Sequence, residues 1–199
     1  MADDRFAPIR ETTDLLRGFR RPWFIAGGWA IDLFLGRATR VHEDLDVAVF
    51  REDQLSLREF LPGWRFTKIA GGRQEPWAGG EWLSRPVHEI HAEDVNRGIR
   101  VEFLLNESSE GLWRFRRNMA VTRPVERIAQ TRWEIPFLEP EIVLLYKAKS
   151  PTPKDEEDFE AARPRLDGER RMWLERALSA CHPNHPWIAR LRAHPTSAR

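Results

Sequence analysis

Cysteine is nearly absent. Cys181 stands alone in 199 residues, so no internal disulfide can form and a reducing, cytoplasmic setting is expected. The six histidines and the single cysteine fall at no spacing that would hold zinc. No glycine-lysine loop of the Walker type occurs. Neither sign of charge dominates: 32 basic residues against 31 acidic ones leave a formal net charge of +1. A dedicated nucleic-acid binder normally carries a strong basic excess, so that class is disfavoured, although a local basic patch is compatible with the count. No stretch reaches the ~20 apolar residues that cross a bilayer. Met1-Ala2-Asp3-Asp4-Arg5 lacks the basic flank and apolar run of a signal peptide. A soluble protein with no membrane segment is expected. There is no internal repeat and no low-complexity tract.

What is present reads as an ordinary globular protein, 41% hydrophobic and 32% charged. The length suits one compact domain or a domain with a small addition, and allows a core that needs neither disulfide nor structural metal. Ile9 to Phe19 has the three-and-four apolar spacing of a helix, broken at Arg20-Arg21-Pro22. Trp23 to Ala26 reads as a short buried strand, Gly27-Gly28 as a tight turn, and Trp29 to Leu35 as a buried helix stopped by Gly36. Asp44 to Phe50 alternates as a strand does. Gln54 to Leu61 reads as a helix and Trp64 to Ala70 as a strand, while the four glycines of Gly71 to Gly80 predict an exposed loop. Val87 to Ala92 and Ile99 to Leu105 read as strands joined by a turn at Glu93 to Gly98. From Glu139 onward only helices are expected: Pro140 or Ile142 to Lys149, Asp155 to Ala162, Gly168 to Cys181 and Trp187 to Leu191. The pattern implies an α/β (α+β) mixed-sheet head over residues 1–135 and a helical C-terminal part over 136–199.

Asp44 and Asp46, two apart on a strand, leave the same face, opposite Leu45, Val47 and Val49. Two carboxylates side by side repel, and a cation between them relieves the repulsion. Hard oxygen donors of this kind suit Mg²⁺, which shares its shell with waters and substrate phosphates. Glu102 lies on the polar face of the strand Ile99 to Leu105. If that strand neighbours the first, three acids converge and can serve metal-assisted phosphoryl chemistry. Surface acids on an exposed sheet are the alternative reading. Gly27-Gly28 opens a helix whose first N–H groups, clear of side chains, can receive a phosphate; a close-packed turn is the simpler account. The combination of that turn, a short helix and Asp-x-Asp on the next strand is far more specific than any part alone.

The run Gly27-Gly28-Trp29-Ala30-Ile31-Asp32, Gly36-Arg37, Thr39-Arg40, His42 and Asp44-Leu45-Asp46 resembles the signature of the nucleotidyltransferase superfamily, and most of all that of aminoglycoside 2''-adenylyltransferase-like proteins. The likeness is dense over 23–50 and weaker over Val101 to Leu105; Pro140 to Lys149, Lys154-Asp155 and Asp158-Phe159 look like the helical tail of such proteins. What it implies is a Mg²⁺-dependent transfer of a nucleoside monophosphate from an NTP, ATP by default, to an acceptor hydroxyl. On that model Asp44 and Asp46 are metal ligands and Glu102 is the third acid, as ligand, general base or both. Some relatives carry aspartate at that third place, one methylene shorter.

Around these acids, several residues admit two readings. Arg40 can grip a triphosphate oxygen, since guanidinium forks match phosphate. His42 can bond a phosphate, orient Asp44 or hold loop backbone, while Asp32 reads as a brace for the connector. Lys147 and Lys149 complement a helix C-terminus, and the resemblance implies that Lys147 reaches the nucleotide phosphates. Trp113-Arg114-Phe115-Arg116-Arg117 is either a surface loop or a nucleotide or RNA grip; Trp77 and Trp82 are either core or a stacking wall. The acceptor expected first is a small polyhydroxylated molecule of the aminoglycoside type, drawn by Glu75, Glu81, Glu89, Glu93 and Asp94. The alternatives are a toxin-like nucleotidyltransferase acting on tRNA or protein hydroxyls, and a non-catalytic nucleotide-binding module.

Overall fold

The computed structural model describes residues 4–193. The first residues of the segment read as lacking a signal peptide, and the last six of the helical C-terminal part, lie outside the described residues. Helix α1 (Ala7–Leu16) buries Ile9, Thr12 and Leu16, the stripe expected from its spacing. Strand β1 (Trp23–Ile25) leads into α2 (Gly27–Leu35), which ends on Gly36 in the left-handed conformation at φ 73°. Strand β2 (Asp46–Phe50) follows, then α3 (Gln54–Phe60) and β3 (Arg65–Ala70). The stretch Gly71 to Gly80, expected as a loop, instead forms a hairpin: β4 (Arg73–Pro76) pairs antiparallel with β3. Positive φ at Gly71 and Gly72 lets the chain reverse in two residues. Strands β5 (Glu89–Asp94) and β6 (Ile99–Ser109) are joined by the expected turn, in which Asp94 accepts from the backbone N–H of Asn96 and Arg97.

Four short strands were not expected: β7 (Leu112–Arg114), β8 (Thr122–Pro124), β9 (Ala129–Arg132) and β10 (Ile135–Leu138). Each has only three or four residues, too few to show by alternation: β7 and β8 extend from the end of β6, and β9 and β10 form a hairpin that joins β1. The helical run then begins at Pro140, with α4 (Pro140–Lys147), α5 (Pro153–Ala162), α6 (Gly168–Cys181) and α7 (Pro186–Arg192). Thr152 and Asp155 close a capping box at the start of α5.

The main sheet runs β4-β3-β5-β6-β2-β1-β10-β9, with β7 and β8 attached to the far half of β6. Pairing is parallel at β1/β10 and β2/β6 and antiparallel elsewhere. It is a mixed sheet, as expected. Strand β10 carries that sheet past residue 135, the expected limit of the head. Val47, Val49, Val101, Phe103 and Ile90 form a closed apolar layer on one face, while α2 packs against α4 and α5. Among the described residues no helix is long and apolar enough to cross a membrane.

Candidate active site

Parallel pairing of β2 with β6 sets Asp46 directly beside Glu102, and antiparallel pairing of β6 with β5 sets Glu102 beside His91. Because side chains alternate across a sheet, Asp46, Glu102, His91 and Glu89 share one face. His91 Nε2 lies 2.7 Å from a Glu89 oxygen and 3.7 Å from a Glu102 oxygen. Asp44 was expected inside the strand, but the strand begins at Asp46. The preceding connector is drawn toward α5 by Lys154 on Glu43 at 3.0 Å and by Arg40 on Asp158 at 3.2 Å, so Asp44 stands exposed at the strand's mouth.

The acids feel one another. Burial raises Asp46 to about 6, with the charges of Asp44 and Glu89 adding to the rise and Lys147 and His42 opposing it. Burial raises Glu102 to about 7, with Asp46, Asp44 and Glu89 adding and His91 opposing. This is a cluster that favours a proton or a cation. Among the described residues the three whose ligand atoms lie within 4.8 Å of one another are Glu89, His91 and Glu102, and not the expected trio of Asp44, Asp46 and Glu102. Asp46 adds a carboxylate beside Glu102, and such oxygens suit a hard divalent ion such as Mg²⁺.

Gly27 and Gly28 are required by what they touch. Gly27 has φ +58°, and a Cβ there would come within 1.9 Å of Asp46 Oδ2. At Gly28 a Cβ would meet the His42 ring at 2.5 Å and an Arg40 guanidinium nitrogen at 2.6 Å. The N-terminus of α2 therefore lies against Asp46 on one side and beneath two basic side chains on the other. No side chain caps it, and the uncapped first N–H groups of a helix are what an anion site uses.

Of the basic residues, His42 is committed to a side chain rather than to backbone: Nε2 lies 2.6 Å from Asp32 Oδ2, and the ring packs on Trp29 at 4.3 Å. Asp32 also accepts from Thr39 N and Oγ1 at 3.1 and 2.5 Å, so it braces the connector as read from the sequence. Arg40 and Lys147 meet on the same acid, Asp158, which lies 3.2 Å from Arg40 and 3.0 Å from Lys147; Lys147 also donates to Asp155 at 2.6 Å. Both cations are in place beside the glycine turn, held by α5. Lys149 is exposed.

Beside Asp46, Gly27 and Lys147 opens a cavity of about 220 Å³. Its far wall contains His88, Asn106 and Tyr146, which nothing in the sequence singles out, together with Arg116 and Arg117 of the candidate grip. The Trp113-to-Arg117 segment, left open between surface loop and grip, is divided in the structure. Trp113 and Phe115 are wholly buried, Arg116 and Arg117 line the cavity, and Arg114 donates to Ser109 Oγ at 2.6 Å. Trp77 is core, edge-on to Phe66 at 5.6 Å with its Nε1 donating to the Glu81 carbonyl; only Trp82 is exposed. Among the expected acceptor-side acids, Glu81 is paired with Lys68, Glu93 with Arg65 and Arg100, and Asp94 serves its turn. Of that group Glu89 shares the face of Asp46 and Glu102, Glu93 lines the neighbouring groove, and Glu75 is exposed on β4. Cys181 lies half-buried at the end of α6, where burial pushes its thiol up, away from nucleophilic use.

Residues 8–72 match the family model of aminoglycoside-2''-adenylyltransferases, the family whose signature the glycine turn and Asp-x-Asp resemble. No curated protein sequence matches the chain. Among solved structures, ANT(2'')-Ia in complex with adenylyl-2''-tobramycin superposes with a TM-score of 0.60 at 17% identity, over 89% of this chain and 99% of that one. The solution structure of the antibiotic-resistance factor ANT(2'')-Ia gives 0.58 at 19%, over 90% and 92%. The lincomycin-bound lincosamide adenylyltransferase LnuA gives 0.56 at 15%, over 80% and 97%. The chain has the nucleotidyltransferase fold.

Proposed function

We propose that this chain is a nucleotidyltransferase that moves a nucleoside monophosphate from an NTP, ATP by default, onto a hydroxyl of a small polar acceptor. The observation that carries the reading is the register of β2 on β6, which sets Asp46 beside Glu102 at the foot of the glycine turn. A family-model match over the same turn and strand supports it.

Asp44, Asp46 and Glu102 would hold Mg²⁺, which neutralises phosphate charge when bound. The uncapped N-terminus of α2, with Lys147 and Arg40 beside it, offers the phosphates N–H donors and positive charge. Glu102, with a pKa near neutrality, suits the role of acceptor for the hydroxyl proton. The acceptor oxygen then bonds to the α-phosphorus, the bond from that phosphorus to the bridging oxygen breaks, and pyrophosphate leaves. Catalysis of this kind rests on positioning and charge neutralisation.

On the acidic side of Glu102, a groove of about 650 Å³ is lined by Glu43, Asp44, Glu93 and Glu102 with His91. Its two arginines, Arg65 and Arg100, are both engaged by Glu93. With Glu43, Asp44, Glu93 and Glu102 against Arg65 and Arg100, the acidic balance of the groove suits a cationic, polyhydroxylated molecule, the class named in the tobramycin complex. The test is incubation with labelled NTPs, Mg²⁺ and a panel of aminoglycosides, lincosamides and tRNA. Label on an aminoglycoside or lincosamide is the expected result, and label on tRNA alone transfers the reading to a toxin-like enzyme. Asp46→Asn should abolish transfer while the circular dichroism spectrum stays unchanged; retained turnover would end the metal-assisted mechanism.

A further inference from the structure

Arg116 apart, the cations that face the cavity already have protein acceptors. Lys147 and Arg40 rest on Asp155 and Asp158. Arg117 donates to the Tyr146 carbonyl at 2.6 Å. Arg116 is half-buried in the cavity wall, yet among the described residues no carboxylate or carbonyl lies within hydrogen-bond reach of its guanidinium. Its contact is with the Tyr146 ring, 5.4 Å from the centroid. A guanidinium drawn out of water without a counter-ion is unfavourable unless an anion joins it. Burial accordingly pulls Arg116 below the usual arginine range, with Tyr146 and then Glu89 only partly opposing.

The position is built rather than incidental. Phe115 donates its N–H to the Val121 carbonyl at 2.9 Å, and Asn118 donates to Phe115 at 2.9 Å, closing a tight turn with Arg116 in it. Trp113 and Phe115, both wholly buried, anchor the turn to the core. Tyr146 beneath Arg116 is itself fixed: its hydroxyl donates to Asn106 Oδ1 at 3.4 Å, the atom that also accepts from Trp113 Nε1 at 2.9 Å. A planar cation supported on an aromatic face, with its N–H edges free, is the form in which arginine takes phosphate in a fork.

We infer that Arg116 is a donor-binding residue that grips the triphosphate of the incoming nucleotide across the cavity from Gly27 and Lys147. The inference rests on the nucleotidyl-transfer reading above for the identity of the anion, and it lies outside the 8–72 segment that matches the family model. It also separates Arg116 from the RNA-grip reading of this segment, because the side chain lines the same cavity as Asp46, Gly27 and Lys147.

Two measurements test it. In Arg116→Gln the KM for the NTP should rise roughly tenfold to a hundredfold, as loss of a charge-assisted phosphate contact does, with the KM for the acceptor unchanged. Arg116→Lys should recover part of the loss. On the wild-type protein, mass-spectrometric footprinting with phenylglyoxal should find Arg116 protected by Mg-NTP and by inorganic tripolyphosphate, but not by the nucleoside; this decides the matter even if the glutamine variant fails to fold. An unchanged nucleotide KM with Arg116 still modified in the presence of Mg-NTP overturns the inference and leaves the nucleotidyl-transfer reading standing. Protection without transfer to any acceptor supports Arg116 and removes the acceptor assignment instead. Failure of the wild type to bind any NTP overturns both.

Discussion

Asp46 and Glu102 set the electrostatics of the site one residue at a time. Both carboxyls have folded pKa values, about 6 and about 7, above their ordinary ones. For an acid raised in this way, the folded protein holds more protons than the unfolded chain across the interval, so these two groups favour unfolding as the pH rises through it. A divalent cation needs the ionised forms and reverses that tendency. The rise in melting temperature produced by Mg²⁺ should therefore grow from about pH 5 to about pH 8, following deprotonation of the pair. Glu102→Gln should flatten the dependence. A magnesium effect that is constant over this range in the wild type, followed by differential scanning fluorimetry, would contradict the shared site. His42, by contrast, is spent on Asp32 and Trp29, a fate that single-residue reading left open because its partner is ten positions away on α2.

Elements deliver these residues to one place, and the glycine turn is the tightest constraint among them. Gly27 is strained for any other residue twice over, by φ +58° and by the approach of Asp46. Gly27→Ala should cost about 1–2 kcal/mol in stability from the left-handed backbone alone. Displacing Asp46 by ~1 Å should lower kcat by about a hundredfold, and steady-state kinetics beside a urea melt separate the two effects. The same level explains what was legible beforehand. Helix α6 appears within the bounds its sequence predicts, because Asp167 caps it and its apolar residues recur at helical spacing. Period-two alternation placed Glu102 opposite Phe103 and Val101, and the ladder then set it beside Asp46. Strands β7 to β10 are not legible because three or four residues carry too little pattern, even though two-residue turns at Glu110-Gly111 and Trp133-Glu134 join neighbours in the chain. Tyr146 and His91 carry no signal in the sequence because only the assembled sheet and α4 bring them to the site, and the same assembly gives Arg116 and Glu89, both candidates on sequence, their places.

The whole molecule is held across its layers by buried charge as well as by apolar packing. Arg123 of β8 meets Glu141 of α4 at 2.5 Å, and Arg170 of α6 reaches Glu139 at 2.8 Å. Arg123 also lies over the Trp173 ring at 5.2 Å. This group ties the small β7–β8 extension, and with it the turn bearing Arg116, to the helical layer. Arg123→Met should destabilise the protein by about 3–5 kcal/mol in chemical denaturation, because it strands a buried carboxylate. The double variant Arg123→Met with Glu141→Met should recover most of that, and an equal loss in both would assign the role to shape rather than charge.

Strand β6 has a further bearing on how this chain can change over generations. It runs unbroken from Ile99 to Ser109, pairing with β2 near its start and with β7 near its end. It thus serves as a ruler between the acid cluster and the arginine-bearing turn. One residue gained or lost between Glu102 and Glu107 would invert every later side chain relative to the sheet. Insertions and deletions in descendants of this sequence must accordingly fall at the hairpin tips, and the spacing across β6 should drift only by substitution.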